Sequence, residues 1–432
     1  MLNKNSSLLY LFIIPILFIT NWFVKHLSLF YDFSSTIFLI LNIIIILSLV
    51  KGDFKIFLII ISLSINFSYR IYFQSLSISY LGFLYIYFIL LFLYFLIKKR
   101  QFMTNENKIL FLLIMYSILV TSGIGARDYI SYVFNLFGGF IIFQICSNIN
   151  DRNLRISKFI LLLPLIFSPL ILYEIIYKPS WGGVYHGSTY RIFGTLDWPN
   201  SFALYLNIII MFILSIYMET RKKNYLIILF IYTLFLINTF SRSGILAFIL
   251  GISIILMLKN YRFIIKMKSV ITVSIIFGMA ILGLEMFSHT RLTRIGIEAI
   301  KSDRVYIWNQ VYYNIEDNLA MGSGLGGYEG IRSNISAGLS AHNMYLFLIS
   351  NIGIVGLILF IILYIYIFIN IYKIMIYNNN YKIKIFARGV IANAVIMLFV
   401  GLVGNAPISI LYTFIFWAMT GFIYNNKESY VN

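Results

Sequence analysis

The sequence predicts an all-α polytopic integral membrane protein, and three observations carry that prediction. Of 432 residues, 61% are hydrophobic and 11% charged, with a mean hydropathy of +0.90, whereas soluble domains are roughly 45–50% apolar and about 25% charged. The apolar residues come in long unbroken runs such as 33–50, where a lipid-facing β-strand would alternate. Charged residues fall in the breaks between these runs or near the ends of the runs. Since about 20 apolar residues cross about 30 Å of hydrocarbon, the chain has room for about 12–14 transmembrane helices in a single domain over 1–432.

The runs place candidate spans near 8–24, 33–50, 54–67, 78–97, 108–122, 129–146, 159–177, 201–218, 225–240, 243–258, 268–284, 344–369, 388–404 and 407–424. The first is read as a retained helix, because no small-residue cleavage site follows Met1–Ile19. The formal net charge of +18 does not point to nucleic acid, because the basic residues are scattered through short loops and never gather on one soluble face. They act as topology signals. With both termini inside, Lys and Arg are in about two-to-one excess on the cytoplasmic side, as the positive-inside rule requires. The one cysteine, Cys146, lies in an apolar run, which excludes a disulfide framework or a cysteine-based zinc site. No internal repeat of the kind transporters carry is visible.

This orientation puts the two longest connections, 178–200 and 285–341, on the outer side, where long polar loops are the natural place for chemistry. Four segments there stand out. Arg191-Ile-Phe-Gly194-Thr195-Leu-Asp197-Trp-Pro199-Asn200 is a turn feeding a span that Asn200 or Ser201 would cap. Phe240-Ser241-Arg242-Ser243-Gly244 is a tight corner between two spans. Its arginine needs a cavity or an anionic partner, because lipid exposure costs a few kcal/mol. Ser302-Asp303-Arg304 opens an amphipathic helix with apolar positions Val305, Trp308, Val311 and Tyr312, followed by Glu316-Asp317 and the run Gly322-Ser-Gly324-Leu-Gly326-Gly327. That run lacks the strand–helix context and the Lys-Ser/Thr ending of a nucleotide-binding loop. Last, Ala341-His342-Asn343 opens the span that continues through Asn351-Ile-Gly353-Ile-Val-Gly356-Leu357, and histidine is the side chain suited to proton transfer near neutral pH.

In this order, over roughly 185–365, these segments resemble the bacterial O-antigen ligase and O-antigen polymerase (Wzy-type) superfamily of polytopic glycosyltransferases. The shared marks are Gly194-Thr195 with Asn200 and Ala203, Ser241-Arg242-Ser243-Gly244, Arg304 with Trp308 then Gly322 and Gly324, and His342-Asn343 with Gly353, Gly356 and Leu357. One departure is Asn351, which stands where the family often has an acid. Residues 1–180 carry no matching motif. The resemblance implies a fold like that of the lipid-linked (GT-C-like) glycosyltransferases and a polyprenyl-diphosphate-linked oligosaccharide as donor. It further implies a multi-pass protein of the bacterial inner membrane with membrane lipids around it, a chain-length regulator as partner, and no cofactor.

The residues fit that chemistry on their own terms. Transfer from a lipid diphosphate needs a base for the acceptor hydroxyl and cations for the departing diphosphate. His342 is the candidate catalytic base. Arg191, Arg242 and Arg304 are the candidate diphosphate ligands, with Arg291 and Arg294 as further arginines in the same loop. Asn200, Asn343, Trp308, Gly324 and Asp317 are supporting residues, and no metal site is expected, since the outer acids Asp303, Glu316, Asp317 and Glu329 form no paired motif. Trp181, Tyr185, Tyr190, Trp198 and Tyr328 are available to stack on sugars. Polymerisation of lipid-linked repeat units is placed first, on a composition rich in Ile, Asn, Lys, Tyr and Phe. A ligase passing the glycan to lipid A core or protein is the alternative. A flippase is third, because charges such as Lys55, Lys108, Glu174, Lys268 and Arg388 lie only near span ends.

Overall fold

The computed structural model describes residues 105–121, 126–149, 155–179, 183–186, 189–194, 196, 198–259, 308–309, 311–313, 315–326 and 342–425. The spans expected near 8–24, 33–50, 54–67, 78–97 and 268–284 lie outside the described residues, as do Arg291, Arg294, Arg304, Trp181 and Tyr328.

Every other expected span is helical: α1 (Asn105–Leu119), α2 (Ala126–Ser147), α3 (Arg155–Leu162), α4 (Ser168–Tyr177), α5 (Pro199–Thr220), α6 (Lys223–Asn238), α7 (Arg242–Lys259), α8 (Met344–Tyr377), α9 (Tyr381–Gly401) and α10 (Ile410–Tyr424). Five stretches among the described residues are long and apolar enough to cross a membrane: Ile160–Tyr177, α5, α7, α8 and α9. The protein is an all-α polytopic membrane protein. The span expected over 159–177 is not one straight helix, however. Pro164 and Pro169 sit at the first turns of a 3-10 segment (Leu163–Phe167) and of α4, where a missing N–H is harmless but a continuous ladder is impossible.

Between α4 and α5 the chain forms a two-stranded antiparallel hairpin, β1 (Gly183–His186) and β2 (Thr189–Ile192), with Val184 opposite Arg191 and Tyr185 opposite Tyr190. An all-helical reading of the sequence leaves these strands out. Their residues are β-branched and aromatic, suited to a pleated ribbon, and the Tyr185 and Tyr190 rings meet edge to face at 5.1 Å.

Small residues let the helices approach. A side chain at Gly251 would strike Met211, one at Gly389 would strike Phe212, and one at Gly421 would strike Cys146. In lipid, where apolar burial gives no driving force between helices, such close backbone contact is what holds a bundle together. Helix α5 is central, packing against α6, α7, α9 and α10. Near its end Glu219 Oε1 accepts from Arg388 Nη1 of α9 at 2.8 Å.

That ion pair fixes directions. It joins the last turn of α5 to the first half of α9, so the two run antiparallel. Connections of two or three residues make α5, α6 and α7 alternate, and likewise α8 and α9. Helices α5, α7 and α8 therefore all begin at the same end of the bundle, and the segments around Asn200, Arg242 and His342 are brought to that end.

Candidate active site

Arg191 lies at the centre of one cluster at this end. It is 8% exposed in β2. Its Nε donates to the Thr239 carbonyl at 2.9 Å, and its Nη2 donates to Asn200 Oδ1 at 2.8 Å. One guanidinium thereby ties the hairpin to the start of α5 and to the α6–α7 corner, three residues before Arg242. A lysine has no comparable rigid fork of donors.

The α6–α7 corner is built by its own hydroxyls. Thr239 Oγ1 donates to Leu236 O and accepts from the Ser241 N–H, and Ser241 Oγ accepts from the Gly244 N–H at 3.2 Å as a helix cap does. Phe240 takes the left-handed conformation (φ 46°). Gly244 lies so close to α5 that a Cβ there would meet the Ala203 Cβ at 2.6 Å, and its carbonyl accepts from Asn207 Nδ2 at 2.8 Å. The Ala203 of one motif and the Gly244 of another are thus in contact. Arg242 is left exposed as the first residue of α7. A cation at a helix N-terminus opposes the macrodipole by about 0.3–1 kcal/mol. An anion bound in front of the helix start would offset that cost, and an anion is what the N–H groups of a helix start attract.

The expected cap of α5 is corrected. Trp198, in extended conformation, is the N-cap and provides no side-chain bond; Pro199 occupies the first turn. Proline needs no cap for the N–H it lacks, which frees Asn200 to accept from Arg191.

The start of α8 separates His342 from Asn343. Asn343 caps the helix, its Oδ1 accepting from the Tyr345 and Leu346 N–H groups at 2.9 and 3.1 Å, while its Nδ2 donates to the Leu402 carbonyl at the end of α9. Tyr345 OH adds a bond to Leu398 O. His342 precedes the cap, exposed and left-handed (φ 47°). The capping role belongs to Asn343. Helix α9 packs against α5, α7 and α8, the helices at whose starts these segments lie.

The glycine run does not behave as a free loop. Helix α8 breaks at Gly353 (φ 63°, ψ −177°), nine residues and about 13 Å from its start at 1.5 Å per residue. Segment 319–326 fills the break. Ile354 and Val355 N–H donate to Leu319 O and Ala320 O, and Ser323 N–H donates to Ser350 O at 2.8 Å. Gly326 N–H donates to Asn351 Oδ1 at 2.9 Å, and Leu325 N–H donates to Thr121 Oγ1, just past α1, at 2.8 Å. Irregular backbone at this depth is tolerated because each freed group finds a partner. Gly353 and Gly322 are obligatory: both have positive φ, and any side chain on either would drive into the other segment's backbone. Gly324 (φ 81°) lies against Val120 and Thr121.

Around this insertion, residues 308–309, 311–313 and 315 are helical, with Val311 and Ile315 buried against Trp308, Leu346, Phe347 and Ile349. The helix packs on α8. Its buried face differs from the expected one: Tyr312 is 47% exposed and Ile315 takes its place. Asp317 lies in the 3-10 turn Glu316–Asn318. Tyr185 and Trp198 are exposed at the same end, whereas Tyr190 is buried with its OH donating to Pro179 O at 2.7 Å. Burial raises that phenol above its ordinary range, with the Glu174 carboxylate beside it adding to the shift. Among the described residues no three His, Cys, Asp or Glu side chains gather as a metal site requires.

Three residues hold this end together in roles the sequence reading did not assign: Glu174, whose Oε2 accepts from Gly194 N–H at 3.1 Å, Thr121, which it did not name, and Asn351, which it named only as a departure from the family pattern. Glu174 had a signal, being the one acidic residue in the run 159–177. The partners of Thr121 and Asn351 lie in a distant loop and leave none.

No curated protein matches the chain. A family model does: residues 226–361 match O-antigen ligase (Wzy_C), a span that runs from within α6 through the Ser241–Gly244 corner, the glycine insertion and His342 to past Gly356. Residues 226–361 are thus similar to the O-antigen ligase family, a match that supports the O-antigen ligase/polymerase superfamily.

Proposed function

We propose that the protein polymerises lipid-linked oligosaccharide repeat units, transferring a growing glycan from polyprenyl diphosphate to a sugar hydroxyl on the outer face of the inner membrane. The acceptor oxygen attacks the anomeric carbon and His342 takes the hydroxyl proton. The bond from that carbon to the diphosphate oxygen breaks, and the diphosphate leaves with the electron pair, held by Arg191, Arg242 and Arg304. Asn200 and Asn343 act as supports, fixing Arg191 and the helix that follows His342. Trp308, Asp317 and Gly324 belong to the loop that flanks the reacting groups.

The observation that carries this reading is the bond from Arg191 to Thr239, across 48 residues. It joins two arginine-bearing segments at the end where α5, α7 and α8 begin, and an arginine pair over helix N-termini is suited to a phosphorylated group. The chemistry needs a cation site for the leaving group and a base in reach of water, and the exposed His342 stands at that end too. A ligase differs only in the acceptor.

The test uses membrane vesicles containing the protein and a synthetic lipid-linked repeat unit. The proposal expects ladders of lipid-linked polymer. Single transfer onto lipid A core, without ladders, would assign ligase instead.

A further inference from the structure

Glu174 lies three residues before the end of α4 and is fully buried. An ionisable group in a spanning segment is expensive to keep and needs a reason. Its Oε2 accepts from the Gly194 N–H at 3.1 Å, while Oε1 is enclosed with no hydrogen-bond partner among the described residues. Gly194 is left-handed (φ 58°), and a side chain on it would strike Phe202 of α5. The turn is therefore pinned from two sides, by Phe202 and by the carboxyl. It stands between Arg191 and Asn200, which hydrogen-bond to each other across it.

We infer that Glu174 is a positioning residue: through Gly194 it sets the turn that aims Arg191 at the diphosphate of the donor. This rests on the function proposed above. The carboxyl holds the turn's N–H, the turn sets the separation of Arg191 from Asn200, and the Arg191–Asn200 and Arg191–Thr239 bonds orient the guanidinium. Glu174 does not touch substrate in this scheme. A buried hydrogen bond to such an acceptor corresponds to about tenfold or more in an equilibrium when its partner is lost.

The full-length protein in nanodiscs tests this with two readouts. Amide exchange of the segment around Gly194 reports whether Glu174 holds the turn, whatever the enzyme transfers. Steady-state kinetics with a lipid-linked repeat unit report the consequence. E174Q keeps a carbonyl oxygen for the Gly194 N–H and should leave exchange and kinetics within about twofold of the parent. E174L should speed exchange and raise the donor KM about tenfold, with kcat changed far less. If E174L does not reach the membrane, E174D, which withdraws the acceptor by one methylene, should give the same split in smaller measure. Loss of kcat in E174Q at unchanged KM and exchange would overturn the inference in favour of proton transfer by Glu174. Unchanged exchange in both E174L and E174D would overturn the hold on the turn. Faster exchange with an unchanged donor KM would overturn the link from turn to donor, and with it the place of Arg191 in the proposed function, whereas a parent protein that makes no polymer fails the proposed function alone.

Discussion

Arg191→Lys keeps the charge and removes the fork. The guanidinium spends one N–H on Thr239 O and one on Asn200 Oδ1, at 2.9 and 2.8 Å, in a site 8% exposed. Each charge-assisted bond is worth about 1.5–3 kcal/mol. A lysine ammonium, a point donor on a flexible stem, reaches one of these acceptors at best. Losing the other costs about 1.5–3 kcal/mol in orientation, and losing two-pronged contact with the diphosphate costs a similar amount, so turnover should fall by about 10²-fold or more at about 1.4 kcal/mol per tenfold. The assay is polymer yield from a lipid-linked repeat unit in vesicles, normalised to the amount of protein in the membrane. Asn200→Ala should cost less, and the double variant should fall short of the sum because the two share one bond. R191K at normal abundance with polymer yield near the parent's would refute the reasoning, since the rigid fork would then be dispensable.

Three further outcomes follow from the geometry. Asn343→Ala removes two capping bonds and the link to Leu402 and should lower stability by about 0.5–2 kcal/mol, read as an earlier thermal transition in detergent, while Asn343→Asp should retain the cap. Gly353→Ala forces a side chain into the Ala320 carbonyl at a positive φ; it should expel segment 319–326 from the break, and protease cleavage between 318 and 327 should appear that the parent resists. Cysteines placed in 178–200 or 285–341 should react with an impermeant reagent from outside, whereas those near 98–108 and 221–223 should not, and the reverse pattern would put the reacting end on the wrong side for a flipped donor.

The helical spans were legible because lipid imposes one rule, an unbroken apolar run, and α5, α7 and α9 start within a few residues of a polar break. What tertiary partners decide was not legible. The apolar run continues on both sides of Gly353, so its break is invisible until Leu319 and Ala320 supply carbonyls from another segment. The cap of α5 was misassigned because Asn200, a good capping residue in isolation, is engaged by an arginine from the hairpin. For α8 the motif named His342 and Asn343 together, and only geometry divides their roles: Asn343 accepts from the helix, and His342 is left outside it. Asn351 shows how a departure from family pattern is absorbed, because a carboxamide accepts from Gly326 N–H as well as a carboxylate oxygen would.

His342 as the acceptor's base is the central claim, and His342→Gln tests it most directly. Because Asn343 provides the cap, the substitution should leave α8 and membrane abundance intact. Glutamine keeps a hydrogen bond but takes no proton, so the loss should approach the whole contribution of a general base, about 10²–10⁴-fold. In cells and in vesicles, H342Q should make no polymer and accumulate lipid-linked single repeat units. Long chains from H342Q at the parent's rate would contradict the account and leave deprotonation to another group at that end of the bundle.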